Sequence, residues 1–257
     1  MVAGQLSRCV DIEAGLEVRL ALTPPCGTGT KTEGHGAQWA ARQTLCEHPK
    51  TPCTKPSTRR SHDGGMNTPV PPSALLVLDV FCTFDFPGGA ALYEQTLGIV
   101  DNLRHLCRRF RDAGRPVIFV NDNFGHWEDT FNDVVTRAGK SGGGLVANAL
   151  HPEPSDYRLL KPRHSAFFET SLPSLLAHLG IEQIVVTGIA ADSCVLSTVM
   201  DAHVRGFETL VPRDTTASQS PARTARVLDH LKESCGIATP AADDLSVSRT
   251  SAPSGPS

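Results

Sequence analysis

The sequence predicts an α/β fold: a mostly parallel sheet with helices on both faces. Three observations carry that expectation. From about residue 73 to 235, short apolar runs alternate with longer segments whose apolar residues recur at three- and four-residue spacing. That alternation implies parallel strands joined by right-handed helical crossovers. The first run, 74–80 (ALLVLDV), is apolar without a polar face, as suits a strand covered on both sides. Finally, Asp79, the loop opening at Asn121, Lys161 and Cys194 all fall at or just after strand ends, where sheets of this kind bind ligands.

Taken in order, residues 1–65 differ from the rest. Between Thr23 and Gly65 the large apolar side chains are Trp39 and Leu45. Such a segment buries too little apolar surface to offset its ordering entropy, so an extension without a packed core is expected, apart from a short helix over about 7–22. Met66 is a candidate start for the folded domain, taken as 66–240. After the strand at 74–80 comes a turn-rich loop, 84–89 (FDFPGG). A helix over about 93–113 follows, with Ile99, Leu103, Leu106, Cys107 and Phe110 on one stripe; Gly114 and Pro116 end it. Cys107 is therefore expected to be a core thiol.

The second strand is expected at 116–120 and a short helix at about 129–136. Residues 139–144 (GKSGGG) look like half a phosphate loop, but Val134 stands where the upstream Gly belongs and no strand leads in, so a flexible loop is expected. Strands are expected at 156–160, 184–187 and 208–211, and a loop from Asp214. Helices are expected at 172–179, 194–204 and 221–232. The Ser-, Ala- and Pro-rich stretch 241–257 reads as a flexible tail.

Composition narrows the function classes. Hydrophobic residues make up 40% and charged residues 20%, as in soluble globular domains. A net charge of −3 predicts no nucleic-acid partner. No apolar run approaches the roughly 20 residues of a membrane span, and Asp11, Glu13, Glu17 and Arg19 interrupt any leader-like segment, so a cytoplasmic protein without membrane association is expected. The eight cysteines include no CxxC pair, and neither a disulfide framework nor a zinc site is expected.

The chemistry centres on Cys194, which follows the apolar run at 184–187 and a Gly188-Ile-Ala-Ala turn. A thiol at a helix N-terminus, beside a cation such as Lys161, is expected to have a lowered pKa. Asp79 is placed to shuttle its proton, and backbone N–H groups of the 189–194 turn are placed to receive an oxyanion. On these residues alone, a Cys after an apolar strand is more often buried and inert than catalytic, and a loop-bonded Asp79 and a surface Lys161 stay open. No GxSxG elbow supports a serine hydrolase.

Three stretches, ALLVLDVFCTFDFPGG, KPRHSAFFETSL and VVTGIAADSCVLSTVMDAHVRGFETLVPRDTTAS, occur in order over about 73–235. Together they resemble the isochorismatase-like cysteine hydrolase family. The resemblance implies a Rossmann-like three-layer α/β/α fold and a catalytic triad of Asp79, Lys161 and Cys194. It implies a cis peptide between Ile189 and Ala190, an oxyanion hole from the N–H groups of Ala190 and Cys194, and, by analogy, a homo-oligomer. Cys82-Thr83 stand where relatives tend to carry Asn-Asp. Nicotinamidases of the family hold zinc through an Asp and two His after the second strand; here that loop reads Asn121-Asp122-Asn123 with His126 alone nearby, so no metal and no other cofactor is expected. The expected function is hydrolysis of a small amide, ureide or related carbonyl substrate through an acyl-thioester on Cys194. The alternatives are vinyl-ether hydrolysis of the isochorismate type, which need not use the thiol, and a non-catalytic or redox-sensing protein. Phe84, Phe86, Asn121, Phe124, Trp127 and Phe167 are candidate pocket walls, and His164 is read as a loop residue outside the reacting group.

Overall fold

A computed structural model describes residues 71–248. The proposed extension 1–65, its helix, Met66 and the end of the tail lie outside the described residues. Five strands form a parallel sheet: β1 (Ser73–Leu78), β2 (Val117–Asp122), β3 (Tyr157–Lys161), β4 (Gln183–Ile189) and β5 (Glu208–Leu210). Their order is β3-β2-β1-β4-β5, and a two-residue β6 (Thr216–Ala217) extends the pairing of β4. β1 lies in the centre. Leu75 faces Val117 of β2 and Val185 of β4, and all six of its residues are buried. A strand covered on both faces and paired along both edges has no use for polar alternation, which is why 74–78 reads as an unbroken apolar run.

The helices divide between the two faces. On one lie α1 (Gly89–Asp112), α2 (Phe131–Gly139) and α3 (Gly144–Ala149), whose Leu103, Leu106, Phe110, Val134 and Val146 pack with Leu75, Val77 and Phe119. On the other lie α4 (Leu172–His178), α5 (Leu196–Val204) and α6 (Pro221–Cys235), whose Leu176, Val199 and Leu231 pack with Leu76, Ile118 and Val186. This is the three-layer arrangement, and the alternation of strands and helices anticipated it. Cys107 is a core thiol as expected, 2% exposed. Among the described residues no helix is long and apolar enough to cross a membrane.

Several local expectations need correction. The second helix begins at Phe131 rather than 129, because Thr130 caps it: its hydroxyl accepts the Asp133 N–H, and the Asp133 carboxylate accepts the Thr130 N–H. The Gly-rich stretch 139–144 is no loose loop but a packed turn into α3. A Cβ on Gly143 would stand 2.0 Å from the Cys82 carbonyl oxygen, so only Gly lets the turn lie against that loop. The third strand runs one residue further than expected and takes in Lys161. Asp156, expected within it, turns aside to hold Arg111 at 2.6 and 3.0 Å.

The tail is also corrected. A short 3₁₀ turn, Ala242–Asp244, returns the chain to the N-terminal edge of the sheet, where Ala242 and Leu245 are buried in the α1 core. Arg109 donates to the Ala242 and Leu245 carbonyls, at 2.6 and 2.5 Å, and Arg115 to that of Ser248 at 3.0 Å. Low hydrophobicity hid this strap, since two apolar side chains and borrowed arginine donors are enough to seat it. A cavity of about 250 Å³ lies beside it, lined in part by Phe110, Val185, Leu210 and Leu245.

Candidate active site

The strand order reverses between β1 and β4, which leaves a crevice at their C-terminal ends. Asp79 follows β1 directly. Its φ is 54°, a left-handed backbone that Asp tolerates better than most residues, and its N–H donates to Val120 O at 3.0 Å. That bend turns the carboxylate under the crevice. Its Oδ1 accepts the Asp122 N–H at 2.6 Å. Asn121 pins the neighbouring loop, accepting from Phe81 N–H at 3.0 Å and donating to Phe81 O at 3.1 Å. At the end of β4, Gly188 has φ 102°, and a Cβ there would stand 2.2 Å from Leu78 O. Only Gly brings the two central strands together at this level.

The residues expected to act together do meet. Lys161 Nζ lies 2.8 Å from Asp79 Oδ2, 3.4 Å from Asp122 Oδ2 and 3.4 Å from Cys194 Sγ. Lys161 is wholly buried and Asp79 is 7% exposed. The ion pair is close, and the Asp79 carboxylate also shares a side-chain hydrogen bond with Cys194, so the carboxylate, the ammonium and the thiol are in mutual contact. The nucleophile turn is a π-turn, Ala191–Val195, and α5 starts only at Leu196; the single helix expected from Cys194 is thus corrected. The Ile189–Ala190 peptide is cis. The N–H groups of Ser193 and Val195 donate to Ala190 O at 3.0 and 3.2 Å, and that of Asp192 to Ser218 Oγ at 3.2 Å.

The electrostatics overturn one expectation. Burial pushes the Cys194 thiol up, the Asp79 charge pushes it further, and Lys161 only partly opposes them. Burial and Asp79 thus work against the thiolate that the helix terminus and Lys161 were expected to favour. Burial likewise raises the Asp79 carboxyl, against the lowering effects of Lys161 and Cys194. Burial opposes the Lys161 charge, but Asp79, Cys194 and Asp122 outweigh it and hold the ammonium above the ordinary lysine range. Sequence reading placed the thiol beside its cation correctly, yet had no measure of how dry the site is.

The candidate pocket walls fare unevenly. Phe167 is core, 3% exposed, with its ring 5.8 Å from Phe207 and under Arg205. Phe84 is buried against Tyr93 and packs with Cys82 and Ile189, with Phe86 at the edge of that cluster. Asn121 is a buried loop clamp. Phe124 and Trp127 are 43% and 75% exposed. Aromatic residues near strand ends supply core as readily as pocket, and sequence offers no distinction between them. Cys82 is buried, and its sulfur accepts the Phe84 N–H at 3.3 Å.

Two residues went unread. Asp122, taken only as a failed metal ligand, is a second carboxylate on Lys161. His164, taken as a loop residue, has Nδ1 3.3 Å from Ser193 Oγ and 3.8 Å from Cys194 Sγ. Its place three residues beyond Lys161, just past a strand end, was the available signal. Among the described residues, no three His, Cys, Asp or Glu side chains converge as a metal site requires.

A thiol, carboxylate and ammonium in contact at the switch point of a three-layer α/β/α sheet belong to a hydrolase of the cysteine type. The Isochorismatase domain profile matches residues 73–243, more than half of the chain, and the protein belongs to that family. It is 35% identical over 147 residues to the uncharacterized isochorismatase family protein YaaI of Bacillus subtilis, covering 57% of this chain and 81% of YaaI. It is 30% identical over 179 residues to the ureidoacrylate amidohydrolase RutB of Pantoea ananatis, covering 58% of this chain and 70% of RutB. Among solved structures, N-carbamoylsarcosine amidase from Thermoplasma acidophilum matches with a TM-score of 0.51 at 27% identity, over 67% of this chain and 98% of the amidase.

Proposed function

We propose that the protein hydrolyses a small amide, ureide or related carbonyl compound through an acyl-thioester on Cys194. The observation that carries this reading is the buried contact of Lys161 Nζ with both Asp79 Oδ2, at 2.8 Å, and Cys194 Sγ, at 3.4 Å. The thiol, hydrogen-bonded to the Asp79 carboxylate, passes its proton to Asp79 as the sulfur attacks the carbonyl carbon. Lys161 favours the ionised form of Asp79 against the effect of burial and steadies the charge left on sulfur. The N–H groups of Ala190 and Cys194, apart from the turn bonds that occupy Asp192, Ser193 and Val195, serve the oxyanion. Asp79 then returns the proton to the departing nitrogen, and water cleaves the thioester.

The amide class is favoured by two relatives whose names give them as an amidohydrolase and an amidase. The test is a panel of small amides and ureides offered to the wild type and to Cys194→Ala. Turnover of at least one member, lowered about 10³-fold or more in Cys194→Ala, is the expected result. Turnover that survives the substitution rejects the thioester route.

A further inference from the structure

We infer that His164 is a second catalytic residue, the general base that activates the hydrolytic water and returns its proton to Cys194. The inference rests on Cys194 forming the acyl-thioester proposed above. Its starting point is that the groups around the sulfur differ in their access to water. Asp79 and Lys161 are 7% and 0% exposed. His164 is exposed to solvent, with Nδ1 3.8 Å from Sγ. Water reaches the thioester where a neighbour of the sulfur meets solvent, and Asp79 and Lys161 do not. The exposed group within reach of the sulfur is an imidazole, the side chain best suited to proton transfer near neutral pH.

The distances suit the step. The acyl carbon stands one covalent bond beyond Sγ, so a water hydrogen-bonded to Nδ1 lies within attacking distance of that carbon. The Ser193 hydroxyl, 3.3 Å from the same nitrogen and 3.8 Å from Sγ, keeps the ring turned toward the sulfur. With its own proton on Nε2, His164 exchanges the Ser193 hydroxyl for the water at Nδ1 and takes that water's proton while the water oxygen bonds to the acyl carbon. The tetrahedral adduct collapses, the C–S bond breaks, and the leaving sulfur receives that proton back from Nδ1. Acid and free thiol are the products, and His164 is returned to its starting state. Asp79 thus serves the first half of the reaction and His164 the second.

The test separates the halves with p-nitrophenyl acetate, whose leaving group needs no acid. Intact-mass spectrometry follows acetyl on Cys194 of the full chain. In His164→Ala, acetylation is expected to stay within about threefold of wild type, while loss of the acetyl slows about 10²-fold and added imidazole restores much of it. His164→Asn can keep a hydrogen bond to Ser193 but is no base, so it is expected to be as slow as His164→Ala. Deacetylation at the wild-type rate in His164→Ala, or full recovery in His164→Asn, overturns the inference, as does a parallel fall in acetylation. If acetyl appears on Cys194 in neither the wild type nor His164→Ala, the nucleophile assignment itself fails and this inference falls with it.

Discussion

Replacing Lys161 by Met removes the one cation from a buried cluster at little change in volume. Asp79 then keeps its burial and loses its partner at 2.8 Å. An isolated carboxylate in such a place escapes by binding a proton. The unfolded chain ionises that carboxyl near pH 4, so holding the proton at pH 7 costs about 1.36 kcal/mol for each of roughly three pH units, or about 4 kcal/mol. At pH 5 the same cost is about 1.5 kcal/mol. The sign follows from the raised folded-state pKa: the stability is present below the unfolded pKa and is lost as pH rises through the folded one. Urea unfolding followed by circular dichroism at pH 5 and pH 7 measures both values. Adding Asp79→Asn to Lys161→Met removes the stranded charge and is expected to recover most of the loss at pH 7. A loss equal at the two pH values and untouched by Asp79→Asn would refute the reasoning, because it would mean packing, not charge, holds the site together.

Two further outcomes follow from burial elsewhere. Burial, reinforced by Asp156 and Glu153 and opposed by Arg111, pushes the Cys107 thiol up to about 12. The fold therefore favours the protonated thiol, and its contribution, intact below the unfolded pKa near 8.5, is lost as pH rises toward 12. Cys107→Val is expected to flatten the fall in urea stability between pH 9 and 11 by up to about 1.4 kcal/mol per unit, and parallel curves for variant and wild type would count against it. Leu245→Ala is expected to lower stability by about 2 kcal/mol, since the side chain is buried against Phe110 beside an existing cavity; no measurable shift in the urea midpoint would mean that the strap does not stay seated.

Much of the fold was legible because its strands are central or covered. β1 and β4 show their burial as continuous apolar runs, and Gly114 and Gly206 close helices at the positions expected of them. Boundaries set by side-chain bonds were less legible. The Thr130 cap, the turn of Asp156 toward Arg111 and the packing of Gly143 on Cys82 each depend on a partner that periodicity does not report. The strap at 242–248 was missed for the same reason, its donors being arginines on α1 and at its end.

The sequence by itself determined that strands and helices alternate, and so that Asp79, Lys161 and Cys194 stand at strand ends of one parallel sheet. Local pattern suffices for this, since each strand and helix carries its own periodicity and the crossover rule leaves few topologies. Tertiary structure alone decided the state of the thiol and the company it keeps. Desolvation and charge act through space, so whether Cys194 rests neutral depends on burial and on Asp79, which lies more than a hundred residues away in the chain. The same holds for His164, whose approach to 3.8 Å from the sulfur is made by β3 and β4 ending on one edge of the sheet.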